Sequence, residues 1–384
     1  MSANRTSPAA FLKHATEVAS FYGFHPSREI ERIAANRLVK RKGAHSFETV
    51  AAVCAACVAV RPGEPALAFY ASPQPAHLPL NLNARDVGEF GLQVVGSGES
   101  VGEVVLLKTI AAIFGEWGAA ISRVRINALG DKDSKQRFER ELVSYLRKQQ
   151  QQFDQACRQQ SLGTPLSYYA CSHETCRAIL ADGPRPVNFL SEKSRTHFKS
   201  VLEHLENLGL PYELDDLLVG DARDPHIAFA VDLSGEDATV LSARGGRFDD
   251  YLRRETGRKE AVGVAASIFF YKKGAARSSF TSLERPGKKG PRVYFIQLGL
   301  RAKLQGLAVV DMLREAHIGV LQSFDATHLS PQLLAAREQG VPYLLIMGQR
   351  EALDGTIIVR STINSSQTIV QMRELPRYLR TLRM

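Results

Sequence analysis

Cysteine is scarce in this chain: 384 residues hold five. A small, odd number excludes the paired framework of a disulfide-stapled domain. Long apolar runs are missing too. The longest, Val50 to Val60, falls far short of the ~20 residues that span a bilayer, so no membrane partner is expected. The opening stretch MSANRTSPAAF has neither an apolar core nor a small-residue cleavage pattern. That argues against a signal peptide and for a cytoplasmic protein. No internal repeat is present.

The bulk composition, 44% hydrophobic and 23% charged, is that of a globular protein long enough for two or three domains. The net charge is +9, and its position matters more than its size. Between Tyr271 and Arg292 stand Lys272, Lys273, Arg277, Arg285, Lys288, Lys289 and Arg292, opposed by Glu284 alone. A solvated linker and a contact to phosphates both fit such a run. Two cysteine groups have zinc-type residues, Cys54-Ala-Ala-Cys57 and Cys171-Ser-His173-Glu-Thr-Cys176. The first sits in an alanine- and valine-rich run that reads as a buried helix, and buried free cysteine is common. No metal is expected.

Apolar residues recur at helical spacing from Phe11 to Gly23, Val101 to Trp117 and Ser191 to Leu208. A further helix follows Ser134, with Phe138, Leu142, Tyr145 and Leu146 on one face. Strand patterns occupy Ala66 to Tyr70, Phe90 to Val95, Val124 to Ile126, Ile227 to Leu233 and Ala238 to Ser242, the last closed by Gly245-Gly246. From Val293 onward, short strands alternate with helices, which predicts a separate α/β domain with a largely parallel sheet. The fold class is therefore α+β followed by a small α/β domain. The divisions are a body over 1–270 with a helical insertion at about 134–210, a basic linker over 271–291 and the second domain over 292–384.

Several ordered blocks carry a resemblance: INALGDKDSKQRFERELVSYL, TPLSYYACSHE, LSEKSRTHFKSVLEHLENLGLPYELDDLLV, GGRFDDYL and GVPYLLIMGQREALDGTIIVR. The chain from about Ala120 onward resembles the histidyl-tRNA synthetases, a class II aminoacyl-tRNA synthetase family. The first 120 residues match less well and look shortened. The resemblance implies an antiparallel catalytic-type sheet with flanking helices and a C-terminal anticodon-binding-like domain. It also implies a homodimer, and tRNA, histidine and ATP with magnesium as the family's ligands.

The chemistry of that family needs cations around a triphosphate, and here the matching positions depart from the pattern. Phe69 to His77, at the second class II motif, has no arginine and no acid. The third motif keeps Gly263 but continues Ala265-Ala266-Ser267 without its arginine. In GDARDPHIAFAVD, Asp224 falls at the family's aspartate, Pro225 and His226 replace two tyrosines, and Asp221 stands in place of an arginine. An acid beside phosphate is repulsive. Removing one preorganised charge costs ~10²–10³ in rate, so several losses leave little adenylation.

The expectation is a histidyl-tRNA synthetase-like protein without aminoacylation, binding tRNA, histidine or a protein partner. No catalytic residue and no cofactor are assigned. An active histidine–tRNA ligase, needing ATP and magnesium, is one alternative. A histidine-sensing regulatory subunit of the ATP phosphoribosyltransferase type is another. The candidate pocket residues are Glu89, Gln93, Asp224, Gly245, Gly246, Arg247 and Gly263. Glu89 and Gln93 stand where the resemblance places a glutamine and a glutamate around the histidine side chain. Candidates for nucleic-acid contact are Lys272, Lys273, Lys288, Lys289, Arg301, Lys303 and Arg337.

Overall fold

The computed structural model describes residues 7–34, 46–60, 65–79, 82–158, 164–171, 173–221, 223–234, 240–259, 261–281, 283, 293–322 and 329–382. Lys288, Lys289 and the rest of the basic linker's second half, residues 284–291, lie outside the described residues.

The body opens with α1 (Pro8–Phe21), β1 (His25–Pro26), α2 (Ser27–Ala34) and α3 (Phe47–Val60). Next come β2 (Ala66–Ser72), β3 (Val87–Val95), α4 (Val101–Trp117) and β4 (Ile121–Ala128). The insertion supplies α5 (Lys132–Gln149), α6 (Gln155–Arg158), α7 (Glu174–Ala181) and α8 (Glu192–Asn207). Then follow β5 (Tyr212–Leu214), β6 (Ile227–Leu233), β7 (Val240–Arg247), α9 (Asp249–Thr256), β8 (Gly263–Tyr271) and α10 (Arg277–Thr281). Among the described residues these strands form one eight-stranded sheet, ordered β1-β2-β3-β8-β7-β6-β4-β5. It is antiparallel from β2 through β4, with β1 and β5 added in parallel at the edges.

Strand alternation gives the sheet two different faces. Phe69, Phe90, Leu92, Val94, Val264, Ile268 and Phe229 point to one side, where α1, α4 and α8 cover them in the main core. The helix α1 fits this role because Ser7 caps it, its side chain accepting from the Ala10 amide at 3.2 Å, and Pro8 stands in the first turn. Its Phe11, Leu12, Ala15 and Val18 are fully buried. On the opposite face, α3 and α9 cover β2, β3 and the start of β8. Cys54 and Cys57 belong to that cover, as buried free thiols.

Two local expectations shift. The helix expected after Ser134 starts at Lys132 and is capped by Asp131, whose Oδ1 accepts from the Ser134 amide at 3.0 Å and its hydroxyl at 2.7 Å. The pair Gly245-Gly246 does not close its strand. The ladder continues through both glycines to Arg247, paired with Ile227 on one side and Val264 on the other.

The second domain holds β9 (Val293–Gln297), α11 (Leu300–Glu315), β10 (Val320–Gln322), α12 (Leu329–Glu338), β11 (Tyr343–Met347), α13 (Gln349–Asp354), β12 (Thr356–Ser361), β13 (Gln367–Gln371) and α14 (Leu375–Thr381). Its sheet runs β10-β9-β11-β12-β13. The first three strands are parallel and the last two antiparallel, so it is mixed rather than largely parallel. The domain docks on α1 and α4. Asp311 of α11 pairs with Lys108 at 2.6 Å and accepts from the Tyr22 hydroxyl, while Arg314 pairs with Glu116.

Candidate functional site

On the face that α3 and α9 cover in part, the strands align their side chains in rows. Tyr70, Gly91, Ser267, Arg244, Ala230 and Arg125 are register partners in one row across five neighbouring pairings. Ala68, Gln93, Ala265, Gly246, Ala228 and Asn127 form the next row. Directly opposed residues share a face, so the glycines and alanines of these rows leave room for larger side chains to lie across the strands. A Cβ on Gly91 would sit 2.1 Å from the Tyr70 ring. The missing side chain lets that ring lie across the strand and put its hydroxyl 2.7 Å from Glu89 Oε1.

Walls rise from three segments. Phe47 and Glu48 come from the start of α3, Phe248 and Tyr251 from α9 and the residue before it, and His77 from the loop after β2. Their rings meet edge-on, Phe47 to Phe248 at 5.5 Å and Phe47 to His77 at 6.0 Å between centroids. Glu48 accepts from His77 Nε2 at 2.6 Å and from the Tyr251 hydroxyl at 3.2 Å. The His77 hydrogen bond pulls the Glu48 carboxyl down to about 2.

The centre of this box is filled by the protein itself. The Arg223 guanidinium stands 4.6 Å from the Phe47 ring centroid and 4.4 Å from that of Phe248. Asp221 grips it through three contacts, Nε to Oδ1 at 2.9 Å, Nε to Oδ2 at 3.1 Å and Nη2 to Oδ2 at 2.5 Å. The residue is 4% exposed. Burial alone would raise the Asp221 carboxyl, but the hydrogen bonds and charge of Arg223 hold it below its ordinary value. Below lies Glu89, 4% exposed, accepting from Tyr70 and, at 2.5 Å, from the Ser267 hydroxyl. Burial raises its pKa, and the two hydroxyl donors offset that in part.

Each expected pocket residue now has a place. Glu89 lines the floor. Gln93 is buried, its Nε2 donating to the Phe47 carbonyl at 2.8 Å, while its Oε1 has no partner. Gly245, Gly246 and Gly263 are strand residues of β7 and β8. Asp224 sits at φ 54 beside the clamp and pairs with Lys135 of α5 at 2.9 Å. Arg247 is corrected: it offers nothing to a ligand. Its Nε and Nη2 hold Glu103 at 2.6 and 2.8 Å, and its remaining N–H groups go to the Ser97 and Glu99 carbonyls and to Asp249.

The nucleic-acid candidates divide as well. Lys272 is corrected, since its ammonium is spent on the Pro73 and Ala84 carbonyls at 2.5 and 2.7 Å. Lys303 is corrected too, since it is 7% exposed and has a partner of its own. Lys273, Arg301 and Arg337 are exposed.

Arg223 was missed, although it stands in GDARDPHIAFAVD. The resemblance directs attention there to Asp221, Asp224, Pro225 and His226. The Asp224 amide donates to the Asp221 carbonyl at 2.9 Å, and this turn brings the Arg223 side chain back onto the Asp221 carboxylate. Arg244 was also missed. It lies on the floor row with no hydrogen-bond or ion-pair partner among the described residues.

Residues 293–382 match a family model described as an anticodon binding domain. Histidine–tRNA ligase of Chlorobium phaeobacteroides is 30% identical over 305 residues, 76% of this chain and 67% of that protein. The ligase of Bacillus velezensis is 26% identical over 323 residues, 83% of this chain and 76% of that protein. The solved structure of apo histidyl-tRNA synthetase from S. aureus aligns over 94% of this chain and 92% of that one, at 19% identity and a TM-score of 0.46. With a histidine–tRNA ligase 30% identical over two thirds of that ligase's length, the chain belongs to the histidyl-tRNA synthetase family.

Proposed function

We propose that this chain is a member of its family that does not form an aminoacyl-adenylate, and that it acts by binding tRNA or a related RNA through residues 293–382. The observation that carries the first half is the Arg223 clamp. A guanidinium held between Phe47 and Phe248 and locked by Asp221 fills the aromatic box above Glu89 and Tyr70. A histidine side chain entering that box meets an internal cation already in place. The motif positions that would neutralise a triphosphate carry no arginine at Phe69 to His77 and an acid at Asp221. Adenylate formation depends on such preorganised charges, each worth ~10²–10³ in rate.

The second half rests on the anticodon-binding match and on exposed Arg301 and Arg337 within it, with exposed Lys273 on the segment that leads into it. Binding through phosphates releases counterions and weakens steeply with salt. The test has two arms. Histidine-dependent ATP–pyrophosphate exchange is expected at the level of a no-enzyme blank, and exchange above it overturns the non-adenylating reading in favour of an active ligase. A gel shift with total tRNA is expected to show binding at low salt that falls as salt rises, and no binding at low salt removes the RNA role.

A further inference from the structure

The insertion has a second, separate core in which Phe138, Leu142, Leu146, Phe153, Tyr168, Ile179 and Leu180 surround two buried cysteines. Little regular structure holds this region. Among the described residues between Phe153 and the start of α7, the regular elements are the four-residue α6 and a short 3₁₀ turn at Pro165–Ala170. A core this small gains most from a cross-link.

Four soft side chains meet there. Cys157 comes from α6, Cys171 follows the 3₁₀ turn, His173 caps α7, and Cys176 lies in its first turn. One ligand atom from each lies within 4.8 Å of all the others. The Cys157 and Cys171 sulfurs are 2.9 Å apart, and His173 Nδ1 is 3.3 Å from Cys171 Sγ and 4.0 Å from Cys157 Sγ. A tetrahedral zinc at about 2.3 Å from sulfur and about 2.0 Å from nitrogen places its ligands roughly 3.5–3.8 Å apart. His173 Nδ1 lies close to that distance from both sulfurs, and the Cys157 and Cys171 sulfurs must part by about 0.9 Å to admit the ion. Backbone amides already point at two of the sulfurs, Asp154 N–H to Cys176 Sγ at 3.5 Å and His173 N–H to Cys171 Sγ at 3.4 Å. Such donors are what a metal-bound thiolate uses to spread its charge. The Asp154 carboxylate, 3.8 Å from His173 Nδ1, is the nearby competitor for that nitrogen.

We infer that Cys157, Cys171, His173 and Cys176 form a structural zinc site that ties α6, the turn and α7 together. Three thiolates and one imidazole gathered within 4.8 Å of one another select zinc over the harder cations. The sequence reading weighed Cys171, His173 and Cys176 alone and expected no metal. The fourth ligand lies 14 residues upstream, and only the fold of the insertion brings it in.

The test uses the full chain purified under reducing conditions without chelator. Metal analysis is expected to find about one zinc per chain, and cobalt exchanged into the protein should give the intense visible bands and sulfur-to-metal charge transfer of a tetrahedral thiolate site. His173 is exposed, so His173→Ala should fold and hold zinc at least about tenfold more weakly. Cys171→Ser/Cys176→Ser should lose the cobalt spectrum. Wild-type protein without zinc that also takes none up on titration overturns the site. So does zinc retained at full occupancy in the double variant, or a Cys157–Cys171 disulfide in the freshly reduced, zinc-supplied protein.

Discussion

At the scale of single residues, Arg247 and Glu103 define how the body tolerates charge in its interior. Glu103 is fully buried and faces both Arg247 and, at 2.8 Å, His197 Nε2. Burial would raise its carboxyl, but Arg247 overcomes this and brings the pKa down to about 2 from an ordinary 4.5. A carboxyl depressed in the folded state adds stability above its unfolded pKa and loses it as pH falls through the folded one. Stability should therefore drop between about pH 4.5 and pH 2, by about 3 kcal/mol from this group. Arg247→Met leaves the carboxylate buried without its cation, at a cost of about 3–5 kcal/mol. Urea unfolding at pH 7 should show that loss in the midpoint, and Glu103→Gln/Arg247→Met should recover part of it. A single variant as stable as the parent would count against the tie.

At the scale of elements, the site depends on how β2, β3 and β8 interleave. Tyr70 can cross β3 only because Gly91 has no Cβ. Gly91→Ala forces the ring away and takes from Glu89 one of its two hydroxyl donors. Overpacking of this kind costs about 1–3 kcal/mol, and the melting temperature should fall by several degrees. Gly98→Ala is the control, since a Cβ there meets nothing within 4 Å. Equal melting temperatures for the two variants would contradict the packing described. The strands themselves were readable: Ile227–Leu233 falls where the sequence pattern predicts it, and Val293 opens the first strand of the second domain. The end of β7 was not, because glycine pairs suggest turns locally, whereas here two neighbouring strands satisfy their backbone groups.

At the scale of the whole molecule, the two sheets share one core. Val293, Phe295, Val309 and Leu313 belong to the same buried cluster as Phe11, Val18 and Phe114. Asp311 joins them across the boundary by holding Tyr22 and Lys108. Asp311→Ala leaves the fully buried Tyr22 hydroxyl without its acceptor and Lys108 without its partner. Calorimetry should then show two separated transitions where the parent chain gives one. One unchanged transition would mean that the apolar contacts alone hold the domains together.

The sequence by itself determined the element order, the α+β body with its small α/β companion, and the family, because periodicity and ordered blocks are local properties of the chain. It also holds no arginine from Phe69 to His77 and none in the run from Gly263 to Tyr271. Only the tertiary structure decided which side chains gather at the site. Arg223 reaches the aromatic box from a loop, between Phe47 and Phe248, which lie about 200 residues apart in the chain. Arg247 turns out to be consumed by Glu103, and Cys157 joins a cluster that its own neighbourhood does not announce. Each of these depends on side chains from distant segments meeting in a low-dielectric interior, where a charge or thiol takes its role from its partners and not from its position in the sequence.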